Sequence, residues 1–289
     1  MEYKITDRGI EIKLNDIFDL KNTFDCGQCF RWTENPDGSY SGIVRGKYAR
    51  VVSDRGVIII EGSSEDDFLN IWKGYFDLEN DYNEIRREIS ELCPKLVCAL
   101  DSMDGIRILS QEPWEALCSF IISQNNNIPR IKGIVTRLCE NFGERGEYGY
   151  SFPTADRIAQ CTEEELSPLR AGFRAAYIAD AARRVSCGEV VLENMYTLPI
   201  DECRTQLMKI KGVGPKVAEC TLLYGLHRLD AFPIDVWMKR ALSTLFSGIS
   251  VSDLGRYAGV AQQYIFHYSR LESEKLKTED KSSVLRHMP

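Results

Sequence analysis

The period of the apolar residues changes once along this chain, and that change limits the folds open to it. Up to about residue 105, short apolar runs alternate with polar residues and are broken by turn residues. The opening stretch MEYKITDRGIEIK alternates and carries charge, so it does not read as a signal peptide. GQCFRWTE (27–34) is strand-like, and NPDGS (35–39) supplies turn residues. SGIVRG and KYARVVS lead through Asp54-Arg55-Gly56 into VIIIEG, which predicts a meander of antiparallel strands. Ser64 and Asp67 have the spacing of a capping box that opens a helix through Phe68, Ile71, Trp72 and Tyr75.

From about residue 106, helical spacing takes over. EPWEALCSFIISQ is one helix. NNNIPRIKGIVTRLCENFG is the next, with Asn127 as its N-cap and Ile131, Val135, Leu138 and Phe142 on one stripe. Thr162 with Glu165 predicts another capped helix, and Arg174 to Val185 one more, closed by Gly188. DECRTQLMKI and PKVAECTLLYGL flank a Gly-Val-Gly turn, and Asp235 sits where an N-cap would open VWMKRALSTLF. The last long helix is expected over roughly Tyr257 to Leu276, with the charged tail SEKLKTEDKSSVLRHMP fraying. A sheet followed by helices predicts an α+β protein. Residues 1–105 form an N-terminal antiparallel sheet domain with a few helices, and 106–289 an all-helical domain containing a helix–hairpin–helix.

Composition excludes some functions. With 36 basic against 43 acidic residues the net charge is −7, which argues against a sequence-independent DNA coat but not against a local basic face. No stretch is apolar over the length of a bilayer span. Because no nuclear or mitochondrial targeting segment is evident, a soluble intracellular, prokaryote-like location is expected, cytoplasmic and nucleoid-associated if prokaryotic. The ten cysteines mostly sit singly in apolar patterns and read as buried free thiols. Cys26 and Cys29 form one CxxC, without the second pair that zinc needs or the helix that a redox motif needs. Three scattered histidines make a histidine-centred mechanism a poor fit.

The helical half carries the candidate chemistry. In KIKGVGPKVAEC, the turn Gly212 to Gly214 and Pro215 at the first helical position expose backbone N–H groups to a phosphate, or else simply join two helices tightly. Lys216 follows, at the positive end of a helix dipole. Such a position disfavours the ammonium form and leaves a free amine that can attack a sugar C1′ as a Schiff-base nucleophile; an exposed lysine contacting a phosphate is the plainer reading. Cys220 shares its face at i+4, as a buried helix cysteine often would. Asp235 reads first as an N-cap, and a carboxylate so held also suits a developing sugar cation. Gln262 and Phe266, at i and i+4, border the core stripe of the last helix, where an amide and a ring could read and stack on a base. Asn125 lies in a run of three asparagines that a connector would also favour. Arg130, Phe173 and Arg174 stand at helix starts, as solvated charge and core or as donors and a wedge for a nucleobase.

Together these residues resemble a known family. KGVGPKVAEC followed by FPIDVWMKR resembles the helix–hairpin–helix DNA glycosylase superfamily. CGQCFRW, SQNNNIPRI, AGFRAAY and AQQYIF narrow the resemblance to the eukaryotic-type 8-oxoguanine DNA glycosylase/AP lyases, over nearly the whole chain. The resemblance implies a monomeric enzyme acting on double-stranded DNA. It excises 8-oxoguanine opposite cytosine through a Lys216 Schiff base, supported by Asp235, and then cleaves by β-elimination. It implies that Cys220 and Phe266 sandwich the base, that Gln262 reads its Watson–Crick edge, and that the Gly27 carbonyl accepts a hydrogen bond from N7–H. Asn125 would fill the vacated stack, Arg130 and Arg174 would contact the opposite cytosine, and Phe173 would wedge beside it. Gly212, Gly214 and Trp237 would meet the DNA backbone. No cofactor is implied: the iron–sulfur cysteines of other branches are missing after Cys220, leaving only a structural cation at the hairpin carbonyls to consider. Trp237 and Phe173 stand where histidine and tyrosine are expected, and Tyr224 where methionine is. A glycosylase for another lesion and a non-catalytic DNA-binding module are the alternatives that keep the hairpin.

Overall fold

A computed structural model describes residues 1–285, with side-chain surroundings to residue 273. Six antiparallel strands form one sheet in the order β1-β2-β6-β5-β4-β3. They are β1 (Glu2–Thr6), β2 (Gly9–Lys13), β3 (Trp32–Glu34), β4 (Tyr40–Val44), β5 (Lys47–Asp54) and β6 (Val57–Glu61). Alternation sets the register: Ile10 and Val51 both pair with Ile60, so the branched side chains of three neighbouring strands face one core. That core is aromatic, with Phe24 stacked on Trp32 at 4.4 Å and Trp72 on Phe76 at 5.8 Å.

The segment expected as a strand over 27–34 pairs only at Trp32–Glu34. Gln28 accounts for the difference. Its buried amide donates to the carbonyls of Thr23 (2.9 Å) and Arg107 (2.7 Å) and accepts from the Leu109 N–H (2.9 Å), tying this stretch to the 105–111 crossover rather than to the sheet.

The helices, in chain order, are α1 (Leu20–Phe24), α2 (Glu65–Asp67), α3 (Lys73–Tyr75), α4 (Tyr82–Leu92), α5 (Val97–Ser102), α6 (Pro113–Ser123), α7 (Ile128–Phe142), α8 (Ala155–Ala159), α9 (Arg174–Ser186), α10 (Ile200–Leu207), α11 (Pro215–Gly225), α12 (Val236–Ser243) and α13 (Ala258–Leu285). Ser64 caps α2 at the Asp67 N–H, and a π-helical turn over Phe68–Trp72 carries the segment into α3. A two-strand hairpin, β7 (Arg145–Gly146) and β8 (Gly149–Tyr150), separates α7 from α8. Although α4 and α5 lie in the first hundred residues, Ile85, Ile89, Leu96 and Leu100 pack into the helical core with α6, α7, α11 and α13.

Two helix expectations need correcting. Thr162 and Glu165 do form a reciprocal box (2.8 and 3.2 Å), but a turn and a 3-10 segment at Ser167–Leu169 follow it instead of an α-helix. Pro168 lacks an N–H and its ring would clash with the carbonyl four residues back, so no regular helix can continue. The last helix runs to Leu285 rather than stopping near Leu276, and through residue 285 the tail is helical, not frayed. Lysine and glutamate are good helix formers, and no glycine or proline interrupts the run between Gly259 and Pro289. The last four residues of that tail lie outside the described residues.

Candidate active site

The hairpin between α10 and α11 is held from several sides. Gly212 has φ +79°, and a Cβ there would lie 2.2 Å from the Tyr177 ring, so both backbone and packing demand glycine. Asp180 accepts the Lys211 N–H at 2.8 Å. Burial would raise this carboxyl, but the Lys211 N–H and the Arg184 guanidinium outweigh burial and hold it below the usual carboxylate range. Behind the turn, Glu219 accepts from the Phe232 N–H at 2.7 Å and from Arg204, tying α11 to α10 and to the strand-like approach to Asp235. Gly214 is the N-cap of α11 and supplies no side-chain cap, which leaves the first-turn N–H groups for an outside acceptor.

Lys216 is half-buried on the first turn of α11. Its Nζ donates to Ser123 Oγ at 3.1 Å and lies 5.0 Å from the centre of the Phe120 ring. The amine therefore points into the molecule's cleft rather than into bulk solvent. That cleft, about 390 Å³, is lined by Gly27, Phe120, Ser123, Lys216, Asp235, Trp237, Phe266 and Arg270, among others. Asp235 is the N-cap of α12, accepting the Met238 N–H at 2.8 Å, so capping and a place in the cleft coincide in one carboxylate.

A second, much smaller cavity opens beneath Lys216. It measures about 40 Å³ and is lined by Cys26, Gly27, Cys220, Tyr224, Gln262, Gln263 and Phe266 together with Lys216 and Asp235. Burial pushes the Cys220 thiol up to about 11, against the pull of the neighbouring Lys216. Cys26 is raised to about 12, also by burial. Both are free thiols. Gly27 has φ +87°, and its missing side chain would face Phe266, Ile128 and Arg270 at 3.8 to 4.0 Å, so the glycine leaves its peptide bare against the Phe266 ring.

Gln262 is not at the border of the α13 core stripe, as its spacing suggests, but buried at 4% exposure. The reason is the neighbour helix: α11 places Tyr224, i+4 from Cys220, directly against it. The Tyr224 hydroxyl donates to Gln263 Oε1, and Gln263 Nε2 donates to the Cys26 carbonyl at 3.2 Å. Gln263, Ser123, Phe120 and Arg270 were not among the residues singled out from sequence. A signal for the pocket's polar side was present, since Lys216, Cys220 and Tyr224 share one helical face at i, i+4 and i+8.

A separate group forms the rim. Asn125 adopts the left-handed region at φ +47°. Arg174, buried at 3% exposure, donates to the carbonyls of Gln124 (2.8 Å), Asn125 (2.9 Å) and Ala171 (3.1 Å), and lies 4.4 Å over the Phe173 ring. Burial, then the nearby Arg130 charge, lowers this guanidinium from its ordinary range. Arg130 is exposed, with its N–H taken by the Asn127 cap at 3.0 Å. Phe173 is 52% exposed, edge-on to Tyr177 at 5.6 Å, and Trp237 is 38% exposed. The structure thus brings Lys216, Cys220, Asp235, Gln262, Phe266, Gly27 and Trp237 around one opening. Asn125, Arg130, Phe173 and Arg174 cluster beside it, and Gly212 and Gly214 lie on the hairpin behind Lys216.

A sheet domain joined to helices around a glycine hairpin, with lysine and aspartate facing one cleft, defines a base-excision DNA repair protein of the HhH-GPD superfamily, whose family model matches residues 118–252. The model for the 8-oxoguanine DNA glycosylase N-terminal domain matches residues 10–117, and the chain belongs to the 8-oxoguanine DNA glycosylase family. Among solved structures, MBOgg1 with a low-affinity DNA ligand is 40% identical with a TM-score of 0.89, covering 94% of this chain and 100% of that one. The *Clostridium acetobutylicum* 8-oxoguanine glycosylase/lyase, in complex with double-stranded DNA containing cytosine opposite 8-oxoG, is 38% identical with a TM-score of 0.90, covering 94% and 99%. The *Saccharomyces cerevisiae* N-glycosylase/DNA lyase is 33% identical over 250 residues, 76% of this chain and 66% of its own length. Among the described residues, no helix is long and apolar enough to cross a membrane.

Proposed function

We propose that this chain is a bifunctional base-excision-repair enzyme that removes 8-oxoguanine opposite cytosine from duplex DNA and then cleaves the strand by β-elimination. The observation that carries the reading is the convergence of Lys216, Asp235, Cys220, Gln262 and Phe266 on one opening. The Lys216 amine attacks C1′ of the flipped nucleotide. The C1′–N9 bonding pair leaves with the base, which takes up a proton. The new C–N linkage loses a proton, its nitrogen lone pair forms the C=N bond as the C1′–O4′ bond breaks, and O4′ takes up a proton, which opens the sugar to a Schiff base. Asp235, fixed by its cap bond, faces the positive charge that develops on the sugar. Removal of a C2′ proton from the Schiff base then expels the 3′ phosphate.

Selectivity follows from the bare Gly27 peptide. Its carbonyl accepts N7–H of 8-oxoguanine, whereas the N7 lone pair of guanine would meet it acceptor to acceptor. The cavity beneath Lys216, about 40 Å³, has a volume of the order of one water molecule in the liquid (~30 Å³), so it must widen before a base enters. Arg130 and Phe173 face the opposite strand, Asn125 fills the vacated stack, and Gly212, Gly214 and Trp237 meet the backbone.

The enzyme works as a monomer, in the compartment that holds the DNA: the cytoplasm with its nucleoid if the source is prokaryotic. It needs no cofactor for this chemistry. A structural cation, if bound, would sit at the hairpin carbonyls. Borohydride trapping on duplexes carrying 8-oxoguanine or guanine opposite each base tests the reading. A covalent adduct is expected with 8-oxoguanine opposite cytosine, and none with guanine. Binding without any adduct would leave only a DNA-binding module.

A further inference from the structure

Tyr224 stands where the family resemblance leads one to expect methionine, and its hydroxyl is the hub of a short polar chain. The Cys26 carbonyl can only accept, so it takes an N–H from Gln263 (3.2 Å). That fixes the Gln263 amide with Oε1 toward Tyr224, and the hydroxyl donates its one proton there. Gln262 Oε1 also faces the Tyr224 oxygen, at 3.4 Å, beyond the range in which an O–H···O bond sits. With the proton spent on Gln263, that contact sets acceptor against acceptor. The Tyr224 ring is buried and stacked on Phe120 at 5.1 Å.

We propose that Tyr224 decides which end of the Gln262 amide faces the flipped base. Turning that amide about its last torsion puts its NH₂ on the free Tyr224 lone pair and its Oε1 into the cavity. An oxygen there accepts from a base that carries a proton at N1 and an amino group at C2, as 8-oxoguanine does. It repels a base with a bare N1 acceptor, as in 8-oxoadenine. Tyr224 is thus a positioning residue that acts through Gln262 and Gln263, and the inference rests on the reading that Gln262 meets the Watson–Crick edge.

Single-turnover excision of 8-oxoguanine and of 8-oxoadenine, each opposite cytosine in the same duplex, tests it in the wild type, Tyr224→Phe and Gln263→Met. Phenylalanine keeps the stack on Phe120 and removes only the hydroxyl, so the ratio of the two rates should move toward 8-oxoadenine by about 2- to 10-fold, the worth of one net hydrogen bond. Methionine at 263 frees the Tyr224 proton for Gln262 Oε1, turns the NH₂ toward the base and should move the ratio further in the same direction. A loosened Cys26–Gly27 segment would instead lower both rates alike. Ratios that stay at the wild-type value in both variants, or a shift in Gln263→Met no larger than in Tyr224→Phe, overturn the inference while the wild-type activity stands. A wild type that forms no adduct with 8-oxoguanine overturns the functional reading, and this inference with it.

Discussion

The pocket and the rim are built on opposite plans. Around the pocket, polar groups converge and each has a protein partner: Lys216 bonds Ser123 on α6, Asp235 caps α12, and Tyr224 on α11 bonds Gln263 on α13, which bonds the Cys26 carbonyl. At the rim, the charges divide their work. Arg174 donates to the carbonyls of Gln124, Ala171 and Asn125, while Arg130 and Phe173 stand open to solvent. Packing thus orients the side chains around the pocket, whereas Arg130 and Phe173 at the rim are left exposed. The expectation that both arginines read the opposite base applies differently to the two. In this structure Arg174 donates to the carbonyls of the asparagine loop, while the Arg130 side chain is exposed.

Mutations can break or sharpen this contrast. The largest effect is expected at Lys216: Lys216→Gln should lower trapped adduct to about a thousandth of wild type or less while gel-shift affinity for the lesion duplex persists. Asp235→Asn keeps the cap, since asparagine caps as well as aspartate, but removes the charge, so excision should fall about a hundredfold with an unchanged melting temperature. Arg130→Ala should relax the preference for cytosine over other opposite bases by roughly fivefold or more, read from excision rates on four matched duplexes. Arg174→Ala should behave otherwise, leaving three backbone carbonyls unpaired, lowering stability by roughly 1–3 kcal/mol and slowing excision opposite every base alike. If the two arginine variants gave the same opposite-base profile, the division of labour at the rim would be wrong. Last, Gly212→Ala should cost roughly 1–3 kcal/mol through its positive φ and the Tyr177 contact, seen as a lower denaturation midpoint.

Much of the site was legible from spacing alone. Asp235, Asn127 and Ser64 cap where capping rules put them, and Lys216 and Cys220 share a face because 3.6 residues make a turn. The strand expected over 27–34 forms only at Trp32–Glu34, because alternation cannot reveal that the Gln28 amide takes its partners from Thr23, Arg107 and Leu109. No α-helix follows Thr162 because a capping box is a start signal only, and Pro168 comes too soon. The burial of Gln262 is not legible in its spacing, because periodicity weighs apolar residues and carries no sign of a buried amide set against a tyrosine on another helix.

What the sequence determined by itself was local: the change from alternating to helical period, the caps, the glycine hairpin, and which side chains share a face of one helix. All of these depend on residues within about four positions of each other. The tertiary structure decided what depends on distance across the chain, namely that α11 and α13 press Tyr224 against Gln262 and Gln263, that Lys216 reaches Ser123, and that Arg174 serves the Asn125 loop. The physical reason is that a single proton, or a single guanidinium, goes to whichever acceptor the packing brings within about 3 Å, and no local rule contains that choice.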